Sequence, residues 1–308
     1  MKLMKTVVPD YYPDFQCKAG RCRHTCCAGW EIDIDEETFE AYKRIGGDFG
    51  KRLSASVSTD GVPHFILQGE DERCPMLNDD GLCDLIIGYG EEALCQICAD
   101  HPRFINDYSD RTEIGLGLCC EAAGERILGK RDKVRLMTLS DDGQAEPISE
   151  WDRSIFELRD NLTGILQDRR FPMMERMRKA LAVCKIEDSR SLKQLIEIFH
   201  NLERLDETWT DKLSGLDKAD LSLLSDTDEC EQTILEQFAI YLVFRYSPYL
   251  KSEKAMLSIS GIFRIFEALC ANEKRKSGTI ALSAAVENAR LLSSEVEYSD
   301  ENVERFFR

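Results

Sequence analysis

The spacing of apolar residues changes character near residue 140. Beyond residue 149 the apolar positions recur every three or four residues almost throughout, which predicts a succession of α-helices. Ser149 and Asp152 are interpreted as members of a capping box that begins the first of them. Residues 233–250 are apolar enough for a central buried helix, which ends at Ser247-Pro248. Further helices are predicted over residues 172–184, 190–206, 228–246, 252–271, 279–294 and 299–307.

Before residue 140 the pattern is mixed and includes short strands. Ile32 and Ile34 alternate with acidic residues, which predicts a short strand. Asp35 follows in the position of an N-cap and predicts a helix that ends near Gly46. The other predictions are an irregular segment over 1–30, a hairpin over 54–69 that turns at Asp60-Gly61, a strand over 111–118 and a helix over 121–128.

The cysteines are concentrated in this mixed region. Ten of the thirteen lie there, namely Cys17, Cys22, Cys26, Cys27, Cys74, Cys83, Cys95, Cys98, Cys119 and Cys120. Disulfides need an oxidising compartment, which nothing in the sequence indicates, and core cysteines do not usually form vicinal pairs. Metal ligation explains both the clustering and the polar neighbours, and we favour it. Cys184, Cys230 and Cys270 lie in helical patterns and are interpreted as small buried apolar residues.

Thiolate ligands alone fit either zinc or an iron–sulfur cluster. Zinc sites often use two C-x2-C pairs, whereas the first group of four cysteines here ends in the vicinal pair Cys26-Cys27. Clusters tolerate such irregular spacing because their irons are separated in space. His24 and His101 lie beside the cysteines and are expected to support the ligands. The residues alone therefore leave both metals open.

These patterns together predict a mainly α protein with two domains. We expect residues 1–140 to form a cysteine-rich metal-binding domain with a few short strands, and residues 149–308 to form an α-helical domain. The polar, turn-rich segment 140–148 is the predicted linker. A chain of 308 residues suits two domains of about 150 residues each.

Charge and hydropathy limit which partners and which cellular compartment we expect for the protein. The net charge is −17, and neither half has a basic patch that would follow a phosphate backbone, so we expect no nucleic-acid partner. An acidic surface suits a cationic protein partner, or serves only to keep the protein soluble. Pro9 and Asp10 interrupt any signal peptide, and no apolar run of about 18 residues predicts a membrane span. The expected location is the cytoplasm, with no membrane contact.

Four cysteine-bearing segments follow one another in a specific order. They are the segment from Phe15 to Asp35 with Cys17, Cys22, Cys26 and Cys27, the segment Cys74-Pro75-x-Leu77 with Gly81-x-Cys83, the segment Cys98-x-x-His101-Pro102-Arg103, and the segment Leu118-Cys119-Cys120-Glu121-Ala122-Ala123. In this order they resemble the flagellin lysine-N-methylases of bacteria. His101 stands where that family usually has Tyr, and Cys120 where it has Pro. Residues 240–245 resemble its helical half.

The resemblance implies an iron–sulfur cluster of the four-iron (4Fe-4S) type, S-adenosylmethionine as methyl donor and flagellin lysines as acceptors. It also implies which cysteines bind metal: Cys17, Cys22, Cys26, Cys27, Cys74, Cys83, Cys98 and Cys119. Cys95 and Cys120 are extra to the family pattern. Eight thiolates exceed the four that one cluster needs, so a second metal such as zinc also fits.

Methyl transfer to lysine needs a deprotonated amine, alignment with the methyl sulfonium, and groups that stabilise a cation. Tyr11, Tyr12 and Asp14 offer aromatic and acidic groups just before the first cysteine and are catalytic candidates. Arg103 is a candidate for catalysis and for holding the donor's carboxylate, and Glu121 is a second donor-binding candidate. Each of these side chains also fits an ordinary surface, capping or ion-pair role.

A second function class stays open on the sequence. It is a non-catalytic zinc or iron–sulfur protein that senses redox state, or whose helical half docks a partner. The motifs GxGxxG, Walker A, GxSxG and HExxH are absent from the sequence, so no other familiar cofactor fold competes. Binding of S-adenosylmethionine discriminates the two classes, because a metal module without catalysis should show none.

Overall fold

The computed structural model describes residues 5–143 and 146–307. In that part of the chain it contains six β-strands and thirteen α-helices, so the prediction of a mainly α protein with a few short strands is confirmed. The strands are β1 (Lys5–Pro9), β2 (Val57–Ser58), β3 (His64–Phe65), β4 (Arg103–Asp107), β5 (Arg111–Leu116) and β6 (Leu136–Ser140). The helices are α1 (Glu36–Tyr42), α2 (Gly47–Ala55), α3 (Asp84–Tyr89), α4 (Gln96–Asp100), α5 (Glu121–Leu128), α6 (Glu150–Leu166), α7 (Met173–Val183), α8 (Leu192–His200), α9 (Glu207–Ser214), α10 (Glu229–Arg245), α11 (Glu253–Ser277), α12 (Leu282–Glu297) and α13 (Asp300–Phe307). Short 3-10 helices cover Tyr12–Asp14, Ala19–Arg21, Glu91–Ala93, Leu216–Lys218, Leu221–Asp226 and Ser247–Tyr249.

The chain divides into two compact units. The larger unit combines Met1–Phe15 with Arg103–Arg308. The segment Gln16–Pro102 forms the other, which we call the cysteine unit. The division does not fall at the polar segment 140–148, because β4, β5 and β6 all join one sheet with β1 in the larger unit.

The sheet of the larger unit has the strand order β4-β5-β1-β6. β1 runs parallel to β5, with Lys5 opposite Arg111, and antiparallel to β6, with Val8 opposite Met137. The β-branched residues of β1 suit a strand, and Val8 is completely buried. The prediction of an irregular segment over 1–30 is therefore wrong for residues 5–9, whose pairing partners lie far along the chain.

Helix α10 is the central helix of the larger unit. Every residue from Thr233 to Phe244 is buried, as expected for a helix with apolar residues on all sides. Asp228 and Glu231 form a capping box at its start. α5, α6, α7, α11 and α12 pack against it. The predicted buried helix is confirmed, and it ends just before Ser247.

Helix α11 corrects one expectation about membranes. Among the described helices it alone is long and apolar enough to cross a bilayer by length and composition, although no such run was expected. Small polar residues such as Ser258 and Ser260 interrupt its apolar residues, so the sequence shows no continuous apolar run there. In the structure 89% of its most apolar 18-residue window is buried, as in the core helix of a globular fold.

Buried ion pairs connect the sheet and helices of the larger unit. Arg159 of α6 pairs with Glu113 of β5, with Nη2 to Oε1 at 3.0 Å, and these side chains are 4% and 0% exposed. Glu236 of α10 pairs with Arg169 at 2.9 Å and with Arg176 at 2.5 Å. Removing either member of such a pair leaves an uncompensated buried charge.

The start of α6 realises only half of the predicted capping box. The Ser149 hydroxyl accepts from the Asp152 N–H at 3.0 Å, as predicted. The Asp152 carboxylate does not return to Ser149 but accepts from the N–H and hydroxyl of Ser109, at 2.9 and 2.6 Å. The Ser149 N–H donates to the Ser109 hydroxyl instead. The loop between β4 and β5 thus replaces the second half of the box.

The cysteine unit contains short elements with little regular pairing. Ile32 and Ile34 are both 1% exposed, so their alternation reports burial correctly. Residues 31–35 nevertheless form only an isolated bridge, Asp33 to His64, rather than the predicted strand. The predicted hairpin over 54–69 is present as β2 and β3, with Gly61 in the left-handed region at its turn.

Asp35 holds two helices of the cysteine unit. Its Oδ1 accepts from the Thr38 N–H at 2.9 Å, which confirms the predicted N-cap of α1. Its Oδ2 accepts from the Gln96 N–H, the first residue of α4, at 2.8 Å. α1 stops at Tyr42, and the separate helix α2 follows, which the sequence did not predict.

Candidate metal centre

Five cysteines lie around one small apolar core in the cysteine unit. Cys74 and Cys95 are buried members of this core, 7% and 1% exposed, and Cys27, Cys83 and Cys98 pack against it. Its other buried members are Ile32, Ile34, Tyr42, Leu53, Phe65, Met76 and Leu85. We call this set the cysteine core. All five thiols are free, so the core gathers soft sulfur donors from three separate segments of the chain.

Backbone pairing joins the first two of these segments. The Cys74 N–H donates to the carbonyl oxygen of Cys27 at 2.8 Å. Next to this bond, the Gly29 N–H donates to Glu72 at 3.2 Å, and Ala28 bridges to Arg73. Cys27 and Cys74 are therefore placed side by side by main-chain bonds rather than by side-chain packing alone.

A tight turn brings Cys83 back towards Cys74. The side-chain oxygen of Asn78 accepts from the N–H groups of Asp80 and Leu82, each at 3.0 Å. Gly81 supplies the left-handed backbone that this turn requires. Leu77 then bridges to Cys83. The turn at residues 78–81 thus positions a cysteine.

Cys95 and Cys98 stand at the start of α4. Cys95 is its N-cap residue, and the Cys98 N–H donates to the Cys95 carbonyl at 3.0 Å. A hydrogen bond from the Cys98 thiol, against the effect of burial, holds the pKa of Cys95 below its usual value. The same bond, together with burial, raises the pKa of Cys98. Both cysteines therefore lie at the start of one short helix.

The thiols of the core differ in how readily they ionise. A hydrogen bond from the Cys26 thiol, aided by Thr25 and the charge of Arg73, lowers the pKa of Cys27 to about 6 although burial opposes it. Burial raises the pKa of Cys74 to about 12. Because the thiolate is the species that binds metals, Cys27 is ready to ligate at neutral pH, whereas Cys74 must lose its proton on binding.

The remaining predicted ligands lie outside the cysteine core. Cys17 and Cys26 are exposed and Cys22 is half-buried. Cys119 belongs to the larger unit, where its sulfur is hydrogen-bonded to the Tyr298 hydroxyl at 2.8 Å. The structure therefore groups four of the eight predicted ligands, together with a fifth cysteine that the sequence did not assign. The four are Cys27, Cys74, Cys83 and Cys98.

The thiols of the cysteine core are chemically suited to bind a thiophilic metal ion or cluster. Neutral and anionic sulfur in an apolar setting suits zinc or iron–sulfur clusters and disfavours the hard cations that prefer oxygen. Over residues 5–143 and 146–307, no three His, Cys, Asp or Glu side chains are already arranged around one metal position. The eight-cysteine ligand set accordingly stays a prediction.

Two of the predicted catalytic residues contact each other. Arg103 Nε donates to the Tyr12 hydroxyl at 3.0 Å, across 91 positions of sequence. The guanidinium carbon lies 5.9 Å from the centre of the Tyr12 ring and 5.6 Å from that of Phe15. A guanidinium held in place against two rings is the kind of group that binds carboxylates.

The other predicted residues are placed differently. Tyr11 is 5% exposed in the apolar core of the larger unit, and burial, with the charge of Asp10, raises its pKa. Asp14 is exposed, and its carbonyl oxygen accepts from Arg126 at 3.1 Å. Glu121 is 3% exposed in the first turn of α5.

A polar network that the sequence analysis did not identify lies in the larger unit. The Tyr241 hydroxyl donates to Glu297 at 2.6 Å, and Arg245 Nε donates to the same carboxylate at 3.2 Å. The Leu118 N–H donates to the Tyr241 hydroxyl at 3.4 Å. Two family-like segments, 118–123 and 240–245, thus meet. The resemblance of residues 240–245 was the signal for Tyr241 and Arg245, whereas Glu297 had none.

A small cavity borders this network. Its volume is about 10 Å³, and its lining includes Tyr241, Tyr246, Ser293 and Glu297. A volume of that size holds about one water molecule. It is far smaller than the pocket that a nucleoside-sized methyl donor would need.

Comparison with curated proteins finds relatives of one kind. A protein named Lysine-N-methylase from Salmonella choleraesuis (strain SC-B67) is 27% identical over 149 residues, which are 44% of this chain and 35% of the relative. A protein of the same name from Salmonella typhimurium gives the same identity and coverage. A protein named Flagellar biosynthetic protein FliU from Salmonella muenchen is 26% identical over 149 residues, 84% of its own length.

The similarity is partial in both directions. The matched segment spans about a third of each Lysine-N-methylase and less than half of this chain. No family model matches the chain, and no solved structure matches it. The chain is a distant relative of the flagellin lysine-N-methylase family, as the order of its cysteine-bearing segments indicated.

Proposed function

We propose that this chain is a protein-lysine N-methyltransferase that modifies flagellin, takes its methyl group from S-adenosylmethionine and carries an iron–sulfur cluster in its cysteine unit. The observation that carries the proposal is the cysteine core. Segments that resemble the methylase family in order place Cys27, Cys74, Cys83 and Cys98 around one core. The names of the relatives, Lysine-N-methylase and Flagellar biosynthetic protein FliU, support the reaction and the substrate.

The thiols that would hold the metal are those of the cysteine core. Cys27 presents a thiol with a lowered pKa, and Cys74, Cys83 and Cys98 lie against the same apolar residues. When bound, a cluster would cross-link these segments and, at an iron without a thiolate ligand, would offer a Lewis-acidic site for the amino and carboxylate groups of the donor. Four thiolates on a four-iron cluster would leave no such iron.

The transfer itself makes demands on this chain's own residues. The bond between sulfonium sulfur and methyl carbon breaks as the bond between lysine nitrogen and that carbon forms, and the lysine ammonium must first give its proton to a base. As an alternative to an iron, Arg103, held by Tyr12 and Phe15, is suited to bind the donor's carboxylate, and the aromatic rings are suited to face a cation. The larger unit also holds the buried carboxylate of Glu297, which is bonded to Tyr241 and Arg245.

The alternative is a metal-binding protein without catalysis, and one observation favours it. Cys74 and Cys95 are almost fully buried in the cysteine core. Enclosed four-thiolate sites are typical of structural zinc, whereas catalytic sites keep an open position. A zinc ion there would stabilise the fold and leave the acidic surface to a partner.

One preparation of the protein tests both the methyltransferase proposal and the non-catalytic alternative. The protein is purified without oxygen, and iron, sulfide and zinc are quantified together with the visible absorption spectrum. Purified flagellin and S-adenosylmethionine are then added, and lysine methylation is read by mass spectrometry. We expect about four irons and four sulfides per chain, a visible band that bleaches on reduction, and methylated lysines.

The control variants separate the metal from general damage. Cys74→Ser is expected to lose both metal and methylation, whereas Cys230→Ser, at an exposed cysteine of α10, is expected to keep both. Stoichiometric zinc without iron, and no binding of S-adenosylmethionine by calorimetry, would establish the structural alternative.

A further inference from the structure

We propose that Cys95 is a direct ligand of the metal in this chain and forms a C-x2-C pair with Cys98. The inference rests on the metal-binding part of the proposed function. It assigns a ligand within Gln16–Pro102, so that the cysteine core holds five candidate thiolates, all of them from the cysteine unit.

The first argument is the position of the Cys95 sulfur. Cys95 is 1% exposed and belongs to the same buried core as Cys74. Cys98 packs against the same core, so both cysteines of the pair lie on one small apolar cluster. A metal that binds Cys98 there would have the Cys95 sulfur among its neighbouring donors.

The second argument is the spacing and the local backbone. Cys95 is the N-cap of α4 and Cys98 lies in its first turn, so two residues separate them on one side of a helix start. This C-x2-C arrangement recurs in thiolate metal sites because it points both sulfurs at the same ion. The Cys98 N–H, bonded to the Cys95 carbonyl at 3.0 Å, fixes that turn.

The third argument is that neighbouring groups hold Cys95 on both sides. The Tyr42 hydroxyl donates to the carbonyl of Ala93 at 2.8 Å, two residues before Cys95. Asp35 accepts from the Gln96 N–H at 2.8 Å, directly after it. Support of this kind orients the ligands of metal sites. Both bonds fix the backbone on either side of Cys95 and so limit where its sulfur can lie.

The test compares two substitutions in the same core. Cys95→Ser keeps the size of the side chain but removes the sulfur, and Leu85→Ala opens the core at a residue that is 2% exposed and carries no donor. Metal content is measured per chain, metal affinity by competition with a chelator, and the number of sulfurs per metal by X-ray absorption. We expect Cys95→Ser to bind metal at least ~10-fold more weakly and with one sulfur fewer per metal. Leu85→Ala should keep the sulfur count of the wild type, even where its affinity falls with the stability of the core.

A second variant covers the case in which Cys95→Ser does not fold. Cys95→Asp supplies an oxygen ligand, and we expect it to retain metal with one sulfur fewer in the coordination shell. An unchanged sulfur count in either cysteine variant, or a sulfur count in Leu85→Ala that falls as it does in Cys95→Ser, overturns the inference and leaves the proposed methyltransferase standing. A wild-type protein without metal overturns the inference and the proposed metal centre together.

Discussion

The larger unit and the cysteine unit are built by different means. The larger unit buries many bulky side chains, among them Trp209, Phe263 and Phe266, and adds buried ion pairs. The core of the cysteine unit has nine buried residues, two of which are cysteines, for the segment Gln16–Pro102. A small core leaves more of the stability of a fold to disulfides or a metal. Apolar burial thus stabilises the larger unit, and under the proposed function a metal would add what the smaller core of the cysteine unit lacks.

Metal removal should give the largest effect and should affect only one unit. Structural zinc contributes about 10–16 kcal/mol of apparent folding free energy in small metal-dependent modules. After chelation we expect residues 16–102 to lose protection from amide hydrogen exchange, while α10 keeps its protection. Hydrogen exchange read by mass spectrometry measures both at once. Equal protection of residues 16–102 with and without metal would show that the cysteine unit is stable by itself.

The second-largest expected difference concerns ion pairs. Breaking a buried pair in the larger unit should destabilise the protein more than breaking a half-exposed pair in the cysteine unit. Glu113→Ala leaves Arg159 buried and unpaired, and we expect it to lower the free energy of unfolding by about 3–5 kcal/mol. Arg52→Ala in the cysteine unit breaks the half-exposed pair with Asp84, 2.6 Å apart, and should cost below about 1 kcal/mol. Urea unfolding of both variants tests this order. Similar losses would mean that the burial of the pair does not decide its contribution.

A buried acid should make the stability of the larger unit depend on pH. Both carboxyl oxygens of Glu267 are buried without a hydrogen-bond partner among the described residues, and burial raises its pKa to about 8. Because that pKa lies above the unfolded value of about 4.3, the contribution to stability is complete below the unfolded value and is lost as pH rises through about 8. Glu267→Gln removes this titration at nearly constant size.

The expected result for Glu267→Gln is a growing advantage over wild type between pH 5 and pH 8. The advantage should not exceed about 1.4 kcal/mol per pH unit. Thermal unfolding at pH 5, 6.5 and 8 measures it, and Glu229→Gln at an exposed position of α10 serves as the control. A difference in Tm that is constant with pH would contradict the assignment of a neutral buried acid.

The smallest expected effects are at helix caps, with one in each unit. Ser149→Ala removes the acceptor at the start of α6 and should cost about 1 kcal/mol. Asp35→Ala removes two acceptors, for Thr38 and Gln96, and should cost about 1–2 kcal/mol. If the metal orders the cysteine unit, Asp35→Ala should also weaken metal binding, which Ser149→Ala should not. Chelator competition on both variants makes the distinction.

The elements of the fold that were predicted correctly depend on residues that are close to one another in the sequence. α10 carries an uninterrupted apolar stretch, and the Asp35 cap and the turn at Asn78 depend on neighbours within four residues. β1, β4 and β6 were not predicted, because their strand character comes from partners that are distant in sequence. The boundary between units was placed differently for the same reason, since sheet pairing draws Lys5–Pro9 to Arg111–Leu116.

In the candidate site, too, the local features were visible in the sequence and the contacts between distant segments were not. The ordered cysteine segments and the Cys95–Cys98 spacing are visible in the sequence. The sequence could not show that Cys95 is buried beside Cys74, because this depends on Tyr42 and Asp35 holding α4 from another segment. Nor could it show that Glu297, at the end of α12, meets Tyr241 of α10.

The place where the cysteine unit is inserted has a kinetic consequence. The insertion leaves the chain after Phe15 and returns at Arg103, whose guanidinium carbon lies 5.6 Å from the Phe15 ring. While unfolded, the insertion is a flexible loop of about 90 residues that must close before β1 can pair with β5, at an entropic cost of ~4 kcal/mol. A folded insertion fixes the distance between its ends in advance. If a metal folds the cysteine unit, we expect metal binding to speed the assembly of the four-stranded sheet. None of the four strands of that sheet contains a cysteine.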